Sequence, residues 1–183
     1  MTTRNKHQTD VHCSIGRAPL LAALVLQLAS AVVAQDVVTW GDQVGNSAWH
    51  SDSYVEVAAG GFHTVARRSD GTVVAWGHGG AGQCNVLALP AGLSYVEVAA
   101  GGFHTVARRS DGTVVAWGDN SHGECNVPAL PTGLIYVEVS AGWLHTVARR
   151  SDGTVVAWGR NSSGECNVPA LPTGLSYVEV SAG

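Results

Sequence analysis

Hydrophobic and polar residues alternate over short stretches of this chain, and glycine-rich turns separate the stretches. Residues 95–99 (YVEVA) alternate with a period of two and favour a β-strand. Residues 110–112 (SDG) give the Asp-Gly signal of a tight hairpin, so we expect antiparallel strands at 104–109 and 113–117 on its two sides. Residues 125–130 predict a weaker fourth strand at a sheet edge, because they include a proline that cannot donate a backbone hydrogen bond.

The whole pattern recurs with a period of 41 residues. Tyr54, Tyr95, Tyr136 and Tyr177 follow one another at that interval. Four extended pieces in about 40 residues are typical of a propeller blade, and the glycine density and period-2 alternation exclude a helical repeat of similar length. We therefore predict an all-β chain of β-propeller blades, each of about four antiparallel strands, with roughly three and a half repeats in an incomplete ring.

The amino terminus resembles an export signal. Basic residues precede an apolar run from Ala18 to Val33, which ends in Val32-Val33-Ala34 with small residues that suit a signal peptidase. The run is shorter than the roughly 20 apolar residues that a membrane span needs, so a retained anchor is the weaker alternative. We expect cleavage after Ala34, a secreted, periplasmic or extracellular location, and no membrane attachment of the mature chain.

These features predict the following organisation. A signal peptide of residues 1–34 precedes a repeat region of residues 35–183. The repeat region consists of a partial unit at 35–53, three repeats at 54–94, 95–135 and 136–176, and a second partial unit at 177–183.

Two runs within each unit resemble a known family. Residues 98–107 (VAAGGFHTVA) and 111–120 (DGTVVAWGDN) are similar to the repeat of the regulator of chromosome condensation family. The similarity covers essentially everything after Gln35, and it implies the β-propeller blade of that family, whose members commonly have seven blades. Here the units are shorter than usual, and a cysteine replaces the leucine of a common Gly-Gln-Leu-Gly segment. Seven units of 41 residues exceed this chain, so we expect no closed seven-bladed ring from one copy.

Charge and motifs exclude several classes of function. Residues 35–183 carry seven basic and thirteen acidic side chains, which argues against binding of nucleic acid through a basic surface. Nucleophile elbows, phosphate loops and zinc-protease motifs are absent from the sequence, so we expect no enzyme and no cofactor.

Residues that recur in every unit are interpreted as structural. Equivalent positions of successive blades stand around a ring, so the histidines do not converge on a metal ion, and we expect each to bond between a strand and a neighbouring turn. The tryptophans are expected to pack between blades. The cysteines are expected to be buried, unpaired and apolar in role, because equivalent positions lie too far apart for a disulfide. These residues are His63, His104, His145, Trp76, Trp117, Trp158, Cys84, Cys125 and Cys166.

The loops that differ between units define a candidate binding face. The glycine turns that precede the histidines and the loops that follow the tryptophans are expected on one face, with the Ser-Asp-Gly tips on the other. The second face is nearly the same in every unit, whereas the first varies, and loops on a rigid scaffold often carry recognition. The candidate residues on this face are His78, Asn120, His122, Trp143, Arg160 and Asn161.

Two classes of function remain open from the sequence. We favour an exported module that binds a protein or a small ligand, or acts as a scaffold, as part of a longer repeat protein or alone. Open blade edges also predict self-association. The alternative, which the family resemblance implies, is a guanine-nucleotide exchange factor for a small GTPase.

Overall fold

The computed structural model describes residues 53–183, and every strand in this part belongs to a three-stranded antiparallel sheet. The predicted signal peptide and residues 35–52 lie outside the described residues. No helix occurs in residues 53–183, and so none there is long and apolar enough to cross a membrane. The strands are β1 (Tyr54–Ala59), β2 (His63–Arg68), β3 (Val73–Gly77), β4 (Tyr95–Ala100), β5 (His104–Arg109), β6 (Val114–Gly118), β7 (Tyr136–Ala141), β8 (His145–Arg150) and β9 (Val155–Gly159).

Each sheet is one blade, formed from one repeat. Blade 1 has the order β1-β2-β3, blade 2 the order β4-β5-β6 and blade 3 the order β7-β8-β9. For residues 53–183, the prediction of all-β propeller blades without a closed ring is confirmed.

The Asp-Gly tips form the hairpins that the sequence predicts. Gly112 has a φ of 79°, a left-handed conformation that glycine adopts without strain, and its N–H donates to the Arg109 carbonyl. Asp111 accepts hydrogen bonds from both the N–H and the hydroxyl of Thr113. The tip is therefore fixed by its own side chains, and the same contacts recur at the other two tips.

The predicted fourth strand of each blade is wrong. Residues 125–130 and their equivalents adopt no strand, so each blade has three strands. The Val127 N–H bonds within its own segment to the Cys125 carbonyl, and Pro128 offers no N–H. The Pro128 carbonyl accepts the hydroxyl of Tyr136, so this segment ties one blade to the next through a side chain.

The hydrophobic core lies between blades. Val65 and Val73 of blade 1 pack with Tyr95, Ala107 and Trp117 of blade 2, and all of these side chains are buried. An equivalent cluster joins blades 2 and 3. A single blade therefore cannot bury its apolar faces alone, which is the general property of stacked repeats.

Candidate functional site

Backbone hydrogen bonds bring the glycine turns of the three blades side by side. The Gly61 N–H donates to the Gly101 carbonyl at 3.0 Å, and the Gly102 N–H donates to the Trp143 carbonyl at 3.0 Å. The side chains that follow these turns are consequently close neighbours, although they are 41 residues apart in the chain.

Three aromatic rings from the three blades pack together at this face, and we call them the aromatic surface: Phe62, Phe103 and Trp143. The two phenylalanine rings stack with their centroids 4.5 Å apart, and the indole meets each ring edge-on at 5.7 and 6.1 Å. Such geometries are the favoured ones for aromatic pairs. Phe62 remains 42% exposed and Trp143 51% exposed, so the rings present a continuous apolar area to solvent.

Glycine in the first two repeats makes room for the tryptophan of the third. Gly61 and Gly102 are the equivalents of Trp143, and a Cβ atom on Gly61 would lie 2.6 Å from the indole ring. Beside them lies a small cavity of about 150 Å³, lined by alanines and glycines of the three turns and by Trp143. Trp143 can therefore occupy this repeat position because the equivalent residues of blades 1 and 2 are glycines.

His78 joins this surface, whereas no contact connects the other predicted loop residues to its rings within the described part of the chain. The His78 N–H donates to the Phe62 carbonyl, and its imidazole lies 6.2 Å from the Phe62 ring and 6.4 Å from the Phe103 ring. His78 also bonds through Nδ1 to Gln83, a fully buried side chain. The structure thus brings together two of the six predicted face residues, His78 and Trp143.

Asn120 uses its side chain within its own loop. Its Oδ1 accepts the Cys125 N–H and its Nδ2 donates to Asn126, both at 2.9 Å. Asn161 makes the same two bonds in blade 3. These two side chains shape the loops, and their amide groups already have partners.

His122 and Arg160 are exposed but locally held. His122 lies next to the buried carboxylate of Glu124, with 3.3 Å between the imidazole Nδ1 and Oε1. Arg160 donates to Ser162 and lies 3.8 Å from Glu165. Both side chains are 45% exposed. They lie in equivalent loops of blades 2 and 3, and the sequences of these loops differ.

Sequence reasoning missed Phe62 and Phe103. Both follow the glycine turn of their repeat, and the equivalent residue in blade 3 is Leu144. A large apolar residue directly after a glycine turn, outside any strand, was the available signal. It was not decisive, because the distance between turns of different blades cannot be read from one repeat.

Two of the recurrent histidines, His63 and His104, bond to a threonine of the next blade. His104 Nε2 lies 3.0 Å from the hydroxyl of Thr146, which itself donates to the Glu124 carbonyl. That hydroxyl therefore accepts from the histidine, so Nε2 carries the proton. The expected partner was a turn, and the structure corrects this to a strand residue of the next blade. Burial lowers the pKa of His104 to about 4, against the opposing effect of the Glu124 carboxylate.

The tryptophans complete the same network. Trp158 donates through Nε1 to the Glu124 carbonyl, which thus receives two donors from blade 3. Trp117 and Thr105 donate in the same way to the Gln83 carbonyl of blade 1. Trp76 is also buried in blade 1.

The cysteines are unpaired but only half-buried. Each thiol donates to a backbone carbonyl at the start of its loop, as Cys125 does to Asp119 at 3.2 Å. Their role is therefore to hold the loop and not simply to fill space, which corrects the expected apolar role. Burial, aided by the Glu124 and Asp119 carboxylates, raises the pKa of Cys125 to about 11. Cys84 and Cys166 make the equivalent bonds.

Acidic side chains form ion pairs within each blade. Glu56, Glu97 and Glu138 each pair with an arginine of the neighbouring strand, at 2.7 to 2.8 Å. Within residues 53–183 no group of three or more histidine, cysteine or carboxylate side chains is placed to hold a metal ion.

The blades, their period and their cross-blade network define a repeat protein of the β-propeller class. The family model of the regulator of chromosome condensation (RCC1) repeat matches residues 54–83, 95–124 and 136–165. The chain belongs to the RCC1 repeat family. A search of curated protein sequences gave no match.

Solved structures support the same fold. Prp20p of Saccharomyces cerevisiae, reported with its binding properties to Gsp1p and histones, superposes with a TM-score of 0.56 and 26% identity over 65% of this chain and 33% of Prp20p. The ectodomain of the receptor kinase CR4 of Physcomitrella patens gives 0.57 and 22% identity, over 81% of this chain and 39% of the ectodomain. Human WBSCR16 gives 0.59 and 20% identity, over 72% and 43%.

The chain matches less than half of the length of each of these proteins. The chain spans about a third of Prp20p. The likeness to the other two proteins concerns the fold alone. The propeller fold with RCC1 repeats is consistent with protein binding.

Proposed function

We propose that this chain is an exported protein-binding module and that the aromatic surface makes the contact. The observation that carries the proposal is the exposed packing of Phe62, Phe103 and Trp143, with two of the rings about half exposed. Exposed apolar patches on a rigid scaffold mark interaction sites, and tryptophan is enriched among residues that dominate binding energy.

A protein partner suits this surface better than a small ligand. The cavity beside Trp143 has about 150 Å³, which is below the range of roughly 300–1,000 Å³ found for small-molecule sites. An exposed area of packed aromatic rings beside His78 has instead the composition of a protein interface. Prp20p is reported with its binding properties to Gsp1p and histones. This report on a similar protein supports a protein partner for the present chain.

The exchange-factor alternative rests on the resemblance to Prp20p, and the chain covers only a third of that protein. A fluorescent nucleotide-release assay with a purified small GTPase of the Gsp1p type tests it. Acceleration of release by the chain would support exchange activity, and unchanged release would leave the binding role as the better account.

Site-specific photocrosslinking tests the proposed surface. A benzoylphenylalanine is introduced at Phe62, or at Thr132 as the control, since Thr132 is exposed on a turn of blade 2. We expect a partner protein crosslinked at position 62 only, with the product reduced by Trp143→Gly, which restores the residue type of the other repeats. Equal crosslinking at position 132, or no effect of Trp143→Gly, would contradict the proposal.

A further inference from the structure

The loops that follow the blade tryptophans begin beside the aromatic surface, and they differ in charge. Residues 78–84 in blade 1 contain no carboxylate and no arginine, whereas the loop of blade 3 balances its one arginine with a glutamate 3.8 Å away. Residues 119–125 in blade 2 contain two carboxylates, Asp119 and Glu124, and no arginine or lysine. The negative charge of these loops is therefore concentrated in blade 2.

Asp119 occupies in blade 2 the position that His78 occupies in blade 1. The Asp119 N–H donates to the Phe103 carbonyl at 2.9 Å, as the His78 N–H donates to the Phe62 carbonyl at 2.8 Å. The His78 ring centroid lies 6.2 Å from that of Phe62. The repeat therefore places the Asp119 carboxylate at the equivalent edge of Phe103, next to the aromatic surface.

The Asp119 carboxylate has no cationic partner within residues 53–183. Its Oδ1 accepts the Ser121 N–H at 3.1 Å, and its Oδ2 accepts the Ser121 hydroxyl at 2.9 Å. Each carboxylate oxygen can accept a further hydrogen bond. Asp119 is half-buried, so solvent reaches it, yet an ion pair formed there is screened less than one at a fully exposed site.

His78 does not supply the opposing charge. The Gln83 Oε1 accepts the Ala81 N–H at 3.0 Å, which directs the Gln83 Nε2 towards Nδ1 of His78 at 3.2 Å. An amide nitrogen only donates, so Nδ1 accepts, and this hydrogen bond requires the uncharged imidazole. The aromatic surface thus has exposed rings and a carboxylate beside them, while His78 places no cation against them.

We propose that the aromatic surface binds an arginine side chain of its protein partner, with the guanidinium over the rings of Phe103 and Trp143 and paired with Asp119. The inference rests on the proposed function, because it names the group that the same surface selects. A guanidinium stacks on aromatic faces, and its planar fork matches the two oxygens of a carboxylate.

Charge complementarity favours this occupant over the other kinds of segment. An acidic segment would bring like charge to Asp119, and such a juxtaposition is costly at an interface. A purely apolar segment would cover the carboxylate and remove it from water without a partner, which also costs free energy. An arginine satisfies the rings and the carboxylate together.

Nuclear magnetic resonance of the full-length chain, labelled with ¹⁵N, tests the contact at single tryptophans. The probe is the peptide acetyl-Gly-Arg-Gly-amide, and its matched control has citrulline, the uncharged isostere, in place of arginine. We expect the indole N–H signal of Trp143, assigned by its loss in Trp143→Gly, to shift on addition of the arginine peptide only. The indoles of Trp117 and Trp158 donate to backbone carbonyls and should not shift. Equal shifts with both peptides, or no shift with arginine, would overturn the proposal.

Two charge variants separate a local contact from the general field of the protein. Asp119→Asn keeps an oxygen for the Ser121 N–H but removes the charge, and it should weaken arginine-peptide binding at least about threefold. Asp111→Asn removes the same charge at the hairpin tip, at the opposite end of β5, and should leave binding unchanged. An equal effect of the two variants would contradict a specific contact with Asp119.

The partner that crosslinks at position 62 distinguishes this inference from the proposed function. Its affinity should fall in Asp119→Asn and on raising the salt concentration from about 50 to about 300 mM, because the ion pair is screened. A partner whose affinity depends on Trp143 but on neither Asp119 nor salt would overturn the arginine contact and leave the proposed function intact. Absence of any partner that depends on Trp143 would contradict the proposed function itself.

Discussion

Glu97 of blade 2 accepts the backbone N–H of Val139 in blade 3 at 3.1 Å, while its other carboxylate oxygen holds Arg108 at 2.7 Å. The same arrangement joins Glu56 to Val98 and Arg67 in the first boundary. One side chain therefore neutralises an arginine within its own blade and satisfies a backbone donor of the next. Polar contacts therefore join each blade to the next, in addition to the apolar core.

This double role predicts an unequal effect of two substitutions. Glu97→Ala leaves the Val139 N–H and the Arg108 guanidinium without their acceptor, and we expect a loss of about 2 kcal/mol in the free energy of unfolding. Glu97→Gln keeps an oxygen for one of the two donors and should cost less. Urea denaturation measures both, and equal stability of Glu97→Ala and wild type would contradict the role.

The buried histidines predict a loss of stability in mild acid. Burial lowers the pKa of His104 to about 4, whereas an unfolded histidine titrates near pH 6.5. The unfolded chain therefore binds more protons between these values, so stability is constant above about pH 6.5 and falls as the pH decreases towards 4. Full expression of this one shift corresponds to about 3 kcal/mol.

The variant His104→Gln tests whether protonation of His104 causes this loss of stability, since glutamine keeps an N–H donor but does not titrate. Unfolding free energies at pH 7.5, 6.0 and 5.0 should fall less steeply for this variant than for wild type. His63, whose pKa burial also lowers, should maintain a residual slope. An identical dependence of the unfolding free energy on pH in the two proteins would show that other groups control the loss of stability in acid.

The thiols should be unreactive in the folded chain. Cys125 donates to a carbonyl, and its raised pKa of about 11 leaves almost no thiolate at neutral pH. We expect slow alkylation by iodoacetamide at pH 8 and fast alkylation after unfolding in urea, followed by mass spectrometry. A disulfide between any two of the three cysteines on a non-reducing gel would contradict the blade geometry.

Export remains a prediction from the amino-terminal sequence. If cleavage follows Ala34, mass spectrometry of secreted material should find a chain that begins at Gln35, with or without cyclisation of the glutamine. An intact Met1 in a membrane fraction would favour a retained anchor.

Local signals predicted most of the blade, because they depend only on neighbouring residues. The alternation of residues 95–99 and the Asp-Gly at 111–112 specify β4 and the hairpin that joins β5 to β6. The fourth strand failed because an extended sequence needs a partner strand, and residues 125–130 instead bond within their own loop and to Tyr136.

The particular partners in the contacts between blades were the part that the sequence did not reveal. The partner of His104 is Thr146, one repeat further on, and its identity depends on the angle between two sheets. The stacking of Phe62 on Phe103 arises from the same angle. Asn120 was predicted on the binding face from its variable loop, but only the folded loop shows that its amide is already bonded.

Binding of a protein by the aromatic surface is tested most directly by the affinity of the partner that crosslinks at position 62. Isothermal titration with that purified partner compares wild type, Trp143→Gly and Thr132→Ala. Loss of a binding residue of this kind costs about 2 kcal/mol, so we predict a Kd about 30-fold weaker for Trp143→Gly. Thr132→Ala should bind as wild type does. An unchanged Kd for Trp143→Gly, in a variant that circular dichroism shows to be folded, would contradict the claim.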